Sequence, residues 1–219
     1  MSGLTTQEII DAGLADWRKL PPALHARFRI PSFPAGAAFV AAVAEAAEAA
    51  NHHPDLTLAY GRVDVAVCTH SAGHVVTQQD VDLARQISDL ARQHGLEPRP
   101  TDVAVLELGL DTADNARIAP FWAALLTGDA GNIAGGEVFD AGGRVPTVWF
   151  QDTDEHDTPR QRWHPDLWLA PEVAEERIAA AIAAGGTLVD DSYAPSFWVL
   201  ADPDGNKACI CTFLDRDEG

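Results

Sequence analysis

The sequence predicts an α+β chain of two domains, and three observations support this fold class. Residues 60–70 carry alternating valines, the period-2 pattern of a β-strand, and helical patterns lie on both sides of them. The order strand, helix, strands occurs twice between residues 103 and 214. Between these regions, Gly95, Pro98 and Pro100 end a helical pattern and stiffen a short connector. In a chain of 219 residues, we therefore predict one domain over residues 1–97, a linker over 98–102 and a second domain over 103–219.

The first domain is predicted to combine helices with the valine strand. Thr5 followed by Glu8 matches a capping box at the start of a first helix. A second helix is predicted to begin near Pro34, because proline suits a first helical turn. The valine strand comes next, and a third helix is predicted over residues 77–93. The apolar face of this third helix is formed by Leu83, Ile87 and Leu90.

The second domain is predicted to repeat one unit of about 50 residues. The first copy contains a strand, a helix and a strand, at residues 103–110, 114–126 and 145–150. The second copy contains a strand, a helix and two strands, at residues 163–169, 171–184, 197–200 and 208–214, the last two around a turn at 202–206. This recurrence predicts internal pseudo-symmetry.

Composition and charge argue against several classes of partner. With 15 Lys+Arg against 33 Asp+Glu, the formal net charge of -18 disfavours nucleic acids and anionic membranes. The most apolar stretch, residues 35–50, contains two glutamates and is shorter than the ~20 residues of a membrane span. The N-terminal residues lack a signal-peptide pattern, and three cysteines are an odd, sparse set. We therefore expect a cytoplasmic protein with reduced thiols.

Histidine usage is the most informative local feature, because four of the eight histidines fall between residues 52 and 74. His52 and His53 precede a proline, and His70 and His74 flank a short Ser-Ala-Gly segment. The alternation of the valine strand predicts that His70 ends the strand and points away from the valine face. Imidazoles outside a core suit proton transfer, but neutral imidazole is also a common zinc ligand. From residue types and spacing alone, both interpretations stay open.

Several segments of the first domain resemble the pterin-4a-carbinolamine dehydratase family. They are the run Glu48–Asp55 with its His-His-Pro, Tyr60, the pair Thr69-His70, and the run Thr77–Ala84. The resemblance covers residues 1–97 and implies an antiparallel sheet with helices on one face. It also implies dehydration of 4a-hydroxytetrahydropterin to quinonoid dihydropterin, with the pterin as small-molecule partner, no metal or redox cofactor, and a homo-oligomer. The catalytic positions that it implies are His52, His53, His70 and Asp80.

The implied reaction accounts for these residue types. Dehydration of a carbinolamine needs one proton delivered to the departing hydroxyl and one removed from the adjacent ring nitrogen, so two imidazoles suffice. We expect His52 and His70 to exchange these protons, in an order that the sequence leaves open, and His53 to position the ring. Asp80 lies three residues after the candidate N-cap Thr77. Two roles for it stay open, namely helix-end electrostatics and fixing a histidine tautomer.

The loop after His70 departs from the family pattern. The family usually has three residues between this histidine and a glycine, then Leu-Thr or Leu-Ser. Here Gly73 follows after two residues, and His74-Val75-Val76 precede Thr77. The loop is one residue longer, and it adds His74 at the rim of the expected pocket.

The second domain resembles the glyoxalase/bleomycin-resistance/dioxygenase superfamily, also called vicinal oxygen chelate. The resemblance covers about residues 103–214 and rests on three segments, Phe121-Trp122, Arg162–Leu167 and the turn at 202–206. It implies paired βαβββ modules around a cavity. The positions that match the metal ligands of active members are Glu107, Gln151, His164 and Cys209. Because Cys209 stands where a glutamate is usual, we expect a small-ligand pocket without a metal; a bound metal would be zinc-like.

Three functions therefore compete. The leading hypothesis is a carbinolamine dehydratase fused to a glyoxalase-like domain that binds a small ligand. The second is metal-dependent lyase or dioxygenase activity in the C-terminal domain. The third is a non-enzymatic dimerisation or interaction protein.

Overall fold

A computed structural model of the chain describes residues 3–127, 129–140, 142–143, 145–155, 162–183, 186–201 and 207–216. The chain divides into two compact units. The first comprises the residues up to Ala104, together with Leu169–Val173 and the residues from Thr212 onward; the second comprises Val105–Trp168 and Ala174–Cys211. Both units combine helices with β-structure, which confirms the α+β fold class. The boundary at 98–102 stays a prediction.

The N-terminal part of the first unit is an antiparallel sheet with helices packed on one face. Its elements are α1 (Thr6–Asp11), β1 (Arg18–Leu20), β2 (Ala23–Arg29), α2 (Phe33–Ala50), β3 (Asp55–Ala59), β4 (Arg62–Val67), α3 (Gln78–Gln93) and β5 (Glu97–Pro98). The strand order is β1-β2-β4-β3, and β5 also pairs with β2. The valines of β4 and the apolar residues of β2 face a core that all three helices share. This arrangement confirms the expected helices on one sheet face.

Local capping determines where these helices begin. Thr5 and Glu8 form the predicted capping box of α1. Ser32 caps α2, with Pro34 in the first turn, as the position of this proline predicted. Thr77 caps α3. Each helix start therefore follows from residues within one turn of it.

The predicted strand at residues 60–70 is wrong at both ends. Strand β4 covers Arg62–Val67, and His70 lies in a short 3-10 helix, His70–Ala72. The chain leaves the sheet because Thr69 pairs instead with Val75, whose carbonyl oxygen accepts from the Thr69 backbone N–H at 2.9 Å. The direction of the His70 side chain is therefore set by this loop and not by strand alternation.

Helix α2 is the longest and most apolar helix of the described residues. By length and composition alone it is long enough to cross a membrane, although core helices pass the same test. Phe39 and Val43 of α2 are fully buried in the core of the first unit. The composition of this helix is thus weak evidence for a membrane span.

The remaining elements form the paired modules expected for the C-terminal domain. They are β6 (Ala104–Thr112), α4 (Asn115–Thr127), β7 (Ile133–Ala134), β8 (Glu137–Val138), β9 (Val148–Asp152), β10 (Trp163–Leu169), α5 (Pro171–Ala183), β11 (Thr187–Asp190), β12 (Phe197–Ala201) and β13 (Lys207–Cys211). They build an eight-stranded sheet in the order β11-β12-β13-β10-β6-β9-β8-β7. In each module the first strand pairs in parallel with the fourth, and the other pairs are antiparallel. The predicted βαβββ repeat is confirmed, whereas the predicted turn at 202–206 lies outside the described residues.

Candidate active site

The centre of the candidate site is a contact between His52 and Asp80. Asn51 ends α2 in the left-handed conformation (φ 48°), and His52 follows it directly. The Nε2 atom of His52 lies 2.6 Å from Oδ1 of Asp80, which belongs to the first turn of α3. The Asp80 side chain is fully buried, and that of His52 is 11% exposed. Helices α2 and α3 thus bring together two residues that are 28 positions apart in the chain.

Three further donor groups lie within hydrogen-bond distance of the second oxygen of Asp80. They are the Thr77 backbone N–H at 2.6 Å, the Thr69 hydroxyl at 2.8 Å and the Thr77 hydroxyl at 3.1 Å. The two hydroxyls also lie 2.7 Å apart, so the shorter contacts assign the Thr69 proton to Asp80 and the Thr77 hydroxyl proton to Oγ1 of Thr69. Because these donors occupy Oδ2, His52 meets Oδ1 and donates its Nε2–H there. Asp80 therefore caps α3 and also contacts the His52 ring; the role in fixing a histidine tautomer stays a prediction.

His70 and His74 lie beside each other on the loop between β4 and α3. Their ring centroids are 4.8 Å apart and the planes are tilted by 35°. His74 has a left-handed backbone (φ 59°), and burial and the neighbouring His70 lower the pKa of its imidazole. Asp55 opposes this shift. His70 is exposed, so its ring is available to a bound molecule.

His53 is mostly exposed to solvent. Its side chain is 60% exposed, and its Nε2 lies 3.1 Å from Oε2 of Glu48. The structure therefore shows His52 with Asp80, His70 with His74, and His53 with Glu48. Thr69 connects the first two pairs, because it precedes His70 in the chain and donates to Asp80.

Two contributing residues, Thr69 and Cys68, were missed from the sequence, whereas Thr77 was predicted as an N-cap and caps α3. Thr69 and Thr77 also hold the Asp80 carboxylate, and the resemblance includes both without assigning this role to them. Cys68 precedes Thr69 and is buried; burial, followed by the charges of Asp80 and Asp55, raises the pKa of its thiol to about 11. These residues lie within a few positions of His70 or Asp80 in the sequence, and this proximity is the signal that could have identified them.

A second cluster in the C-terminal sheet surrounds His164. Its Nδ1 lies 3.7 Å from Oδ1 of Asp111, and its Nε2 lies 3.5 Å from Oδ1 of Asp166. The ring lies over Gly109, where an added Cβ would come within 2.5 Å of it. A hydrogen at Gly109 therefore provides the space that this imidazole occupies.

The expected metal positions are only partly brought together. Ligand atoms of His164, Asp166 and Cys209 lie within 4.8 Å of one another in the part of the chain that the structure describes. Glu107 instead accepts a hydrogen bond from the indole N–H of Trp168, and Gln151 is exposed on β9. Asp166, which pairs with Cys209 across β10 and β13, was missed as a candidate ligand.

The fold and the site define a two-part protein with a histidine site in an antiparallel α+β domain and a paired βαβββ domain after it. The family model for pterin 4 alpha carbinolamine dehydratase matches residues 2–90, and the model for a glyoxalase-like domain matches residues 107–211. A protein of Streptomyces coelicolor named "Putative pterin-4-alpha-carbinolamine dehydratase" is 46% identical over 94 residues, which are 42% of this chain and 93% of that protein. A protein of Nocardia farcinica with the same name is 47% identical over 79 residues, 36% of this chain and 82% of that one.

Among solved structures, the chain is similar to a transcriptional coactivator/pterin dehydratase from Brucella melitensis. The identity is 35% and the TM-score 0.39, over 41% of this chain and 99% of that one. From the curated relatives, the chain belongs to the pterin-4a-carbinolamine dehydratase family through its N-terminal part. It carries a glyoxalase-like domain in its C-terminal part.

Proposed function

We propose that this protein dehydrates 4a-hydroxytetrahydropterin to quinonoid dihydropterin by proton transfer between histidines. The observation that carries the proposal is the contact of His52 with the buried carboxylate of Asp80. The names of the curated relatives support the same reaction. The C-terminal glyoxalase-like domain is proposed to bind a small ligand.

His52 is proposed as the base. Because its Nε2–H is donated to Asp80, the lone pair of the neutral ring is on Nδ1, which can accept the proton of the pterin nitrogen next to C4a. The nearby carboxylate stabilises the imidazolium that this transfer creates. The hydrogen bonds that Asp80 accepts fix its carboxylate in place, so it holds the His52 ring in one orientation.

His70 is proposed as the acid. Its exposed ring delivers a proton to the departing hydroxyl, the C4a–O bond breaks and water leaves. The electron pair of the N–H bond, freed when the base takes the proton, forms the C=N bond of the product. Protons and electrons therefore balance. Proton exchange between the histidines, directly or through solvent, restores the starting state. His53, which is exposed beside Glu48, is proposed to position the pterin ring.

The test is a dehydration assay that measures the rate above spontaneous water loss, with the carbinolamine generated in the cuvette. We expect His52→Gln and His70→Gln to lower kcat by about 10²-fold to 10⁴-fold, the usual contribution of an acid or base. His94→Gln is the matched control, because His94 lies at the far end of α3 and packs on Phe39. Wild-type rates in both site variants would refute the proposed reaction. A wild-type protein no faster than the spontaneous reaction would favour a non-enzymatic interaction protein.

A second candidate function is metal binding in the glyoxalase-like domain. It is favoured by the cluster of His164, Asp166 and Cys209, a mixed nitrogen, oxygen and sulfur set that suits zinc better than a hard cation. Metal analysis of the purified protein tests it. Stoichiometric zinc that is lost in a His164→Ala/Cys209→Ser variant would support a metal-dependent activity there, and wild-type protein that binds no zinc at this cluster would exclude it.

A further inference from the structure

We propose that Cys68, His70 and His74 form a zinc-binding site whose occupation withdraws His70 from proton transfer. One thiol sulfur and one ring nitrogen from each histidine lie within 4.8 Å of one another. The zinc site itself rests on this geometry. Only its inhibitory effect rests on the proposed dehydration.

The donor set matches the preferences of zinc. Zinc is bound tetrahedrally by Cys at about 2.3 Å and by His at about 2.0–2.1 Å. Such bonds place neighbouring ligand atoms roughly 3.3–3.6 Å apart. The three atoms therefore need to close by no more than about 1.5 Å, within reach of side-chain rotation. Three protein ligands leave the fourth position open to water or a solute.

The loop already holds the three side chains on one side. Thr69 lies between Cys68 and His70, and its hydroxyl donates to the buried Asp80 while its backbone pairs with Val75. This pairing closes the loop and brings the His74 ring against that of His70, 4.8 Å between centroids. The extra loop residue noted in the sequence thus supplies a ligand, and the ordered loop lowers the entropic cost of binding.

The local charges favour a cation. Asp80 and Asp55 both act electrostatically on Cys68, and Asp55 also acts on His74, so the site lies in a negative potential. Zinc binds the thiolate of Cys68, so the thiol proton is released to solvent when the metal binds.

The binding test uses the full chain carrying Cys209→Ser, which removes the sulfur of the other cluster. Cobalt(II) reports tetrahedral coordination through its visible bands and thiolate coordination through a sulfur-to-metal charge-transfer band. Competition with a chromophoric chelator gives the zinc affinity. We expect one equivalent of cobalt with both signals.

Two variants and one control make the binding test specific. Cys68→Ser should abolish the charge-transfer band. His74→Asn is chosen because Asn tolerates the left-handed backbone of this position. It should weaken zinc binding by at least tenfold to hundredfold, because loss of a residue that only supports a metal ligand already has an effect of this size. Ser71→Ala, on the exposed side of the same loop, should bind as the parent does. Absence of binding, or binding that both variants retain, would overturn the zinc site.

The activity arm separates the two proposals. Each protein is compared with its own zinc-free rate: with one equivalent of zinc the parent should lose its activity, whereas His74→Asn should keep the rate that it has without zinc. Zinc that binds through Cys68 and His74 without inhibiting would overturn the inhibitory role. A parent without dehydratase activity that still shows the Cys68-dependent cobalt spectrum would refute the proposed function and support the site.

Discussion

Replacing Asp80 by asparagine changes one carboxylate oxygen to an amide NH2 at constant volume. Oδ2 of Asp80 accepts hydrogen bonds from the Thr69 hydroxyl and the Thr77 backbone N–H, and an NH2 group placed there would face these two donors. An unsatisfied buried donor costs about 1–3 kcal/mol. The amide should therefore turn its NH2 toward His52, where it can donate to Nε2.

This orientation reverses the tautomer of His52. If Nε2 accepts from the amide, the ring proton moves to Nδ1 and the lone pair no longer faces the substrate. We expect kcat to fall by about 10²-fold to 10⁴-fold, roughly 3–5 kcal/mol of transition-state stabilisation. The three charge-assisted hydrogen bonds of Asp80, from His52, the Thr77 backbone N–H and the Thr69 hydroxyl, become neutral ones, and at about 1 kcal/mol each the free energy of unfolding should fall by about 3 kcal/mol.

Three measurements check this reasoning: kcat in the dehydration assay, urea unfolding, and ¹⁵N NMR of the histidine rings, which reports the tautomer. Asp82→Asn is the matched control, because Asp82 lies on the same helix but is exposed, and its stability should change by no more than about 0.5 kcal/mol. An Asp80→Asn protein that keeps the wild-type kcat and the Nε2–H tautomer would show that Asp80 serves only as a helix cap.

Two further predictions concern packing and pH. Gly109→Ala places a Cβ 2.5 Å from the His164 ring and should lower the free energy of unfolding by about 1–3 kcal/mol in a urea titration. Gly131→Ala is the control and should change this free energy little, because its Cβ meets only the flexible Asp129 side chain. Equal effects of the two variants would contradict the close packing at Gly109. Burial lowers the pKa of His25 on β2 to about 4, below the usual 6.5. Between these two pH values His25 is protonated in the unfolded chain but not in the folded one, so stability is lost as pH falls from about 6.5 to about 4. The measurement is the difference in unfolding free energy between pH 7 and pH 4.5, obtained from urea titrations. His25→Gln should make this difference smaller by up to about 3 kcal/mol, and an unchanged difference would contradict the lowered pKa.

Helix starts and the repeated module were predictable because their signals are local or periodic. The capping box of α1 and the proline of α2 act within one turn, and both predictions are confirmed. The strand–helix–strands recurrence is confirmed as two βαβββ modules. Strands β1, β3 and β5, and in the second domain β7, β8 and β11, were missed because they are short and owe their conformation to pairing with neighbouring strands. β2 does show alternation, at Leu24, Ala26 and Phe28, and this signal was overlooked.

The sequence by itself determined which side chains are the candidates for the chemistry, because the His-His-Pro run, the Thr-His pair and the aspartate that opens α3 are residue types at set spacings. Only the tertiary structure decided their partners. His52 meets Asp80 because α2 ends beside the start of α3, and His70 meets His74 because Thr69 leaves the sheet to pair with Val75. Such contacts depend on how helices and loops pack in the folded chain, and a side chain's type does not specify its neighbour across 28 residues.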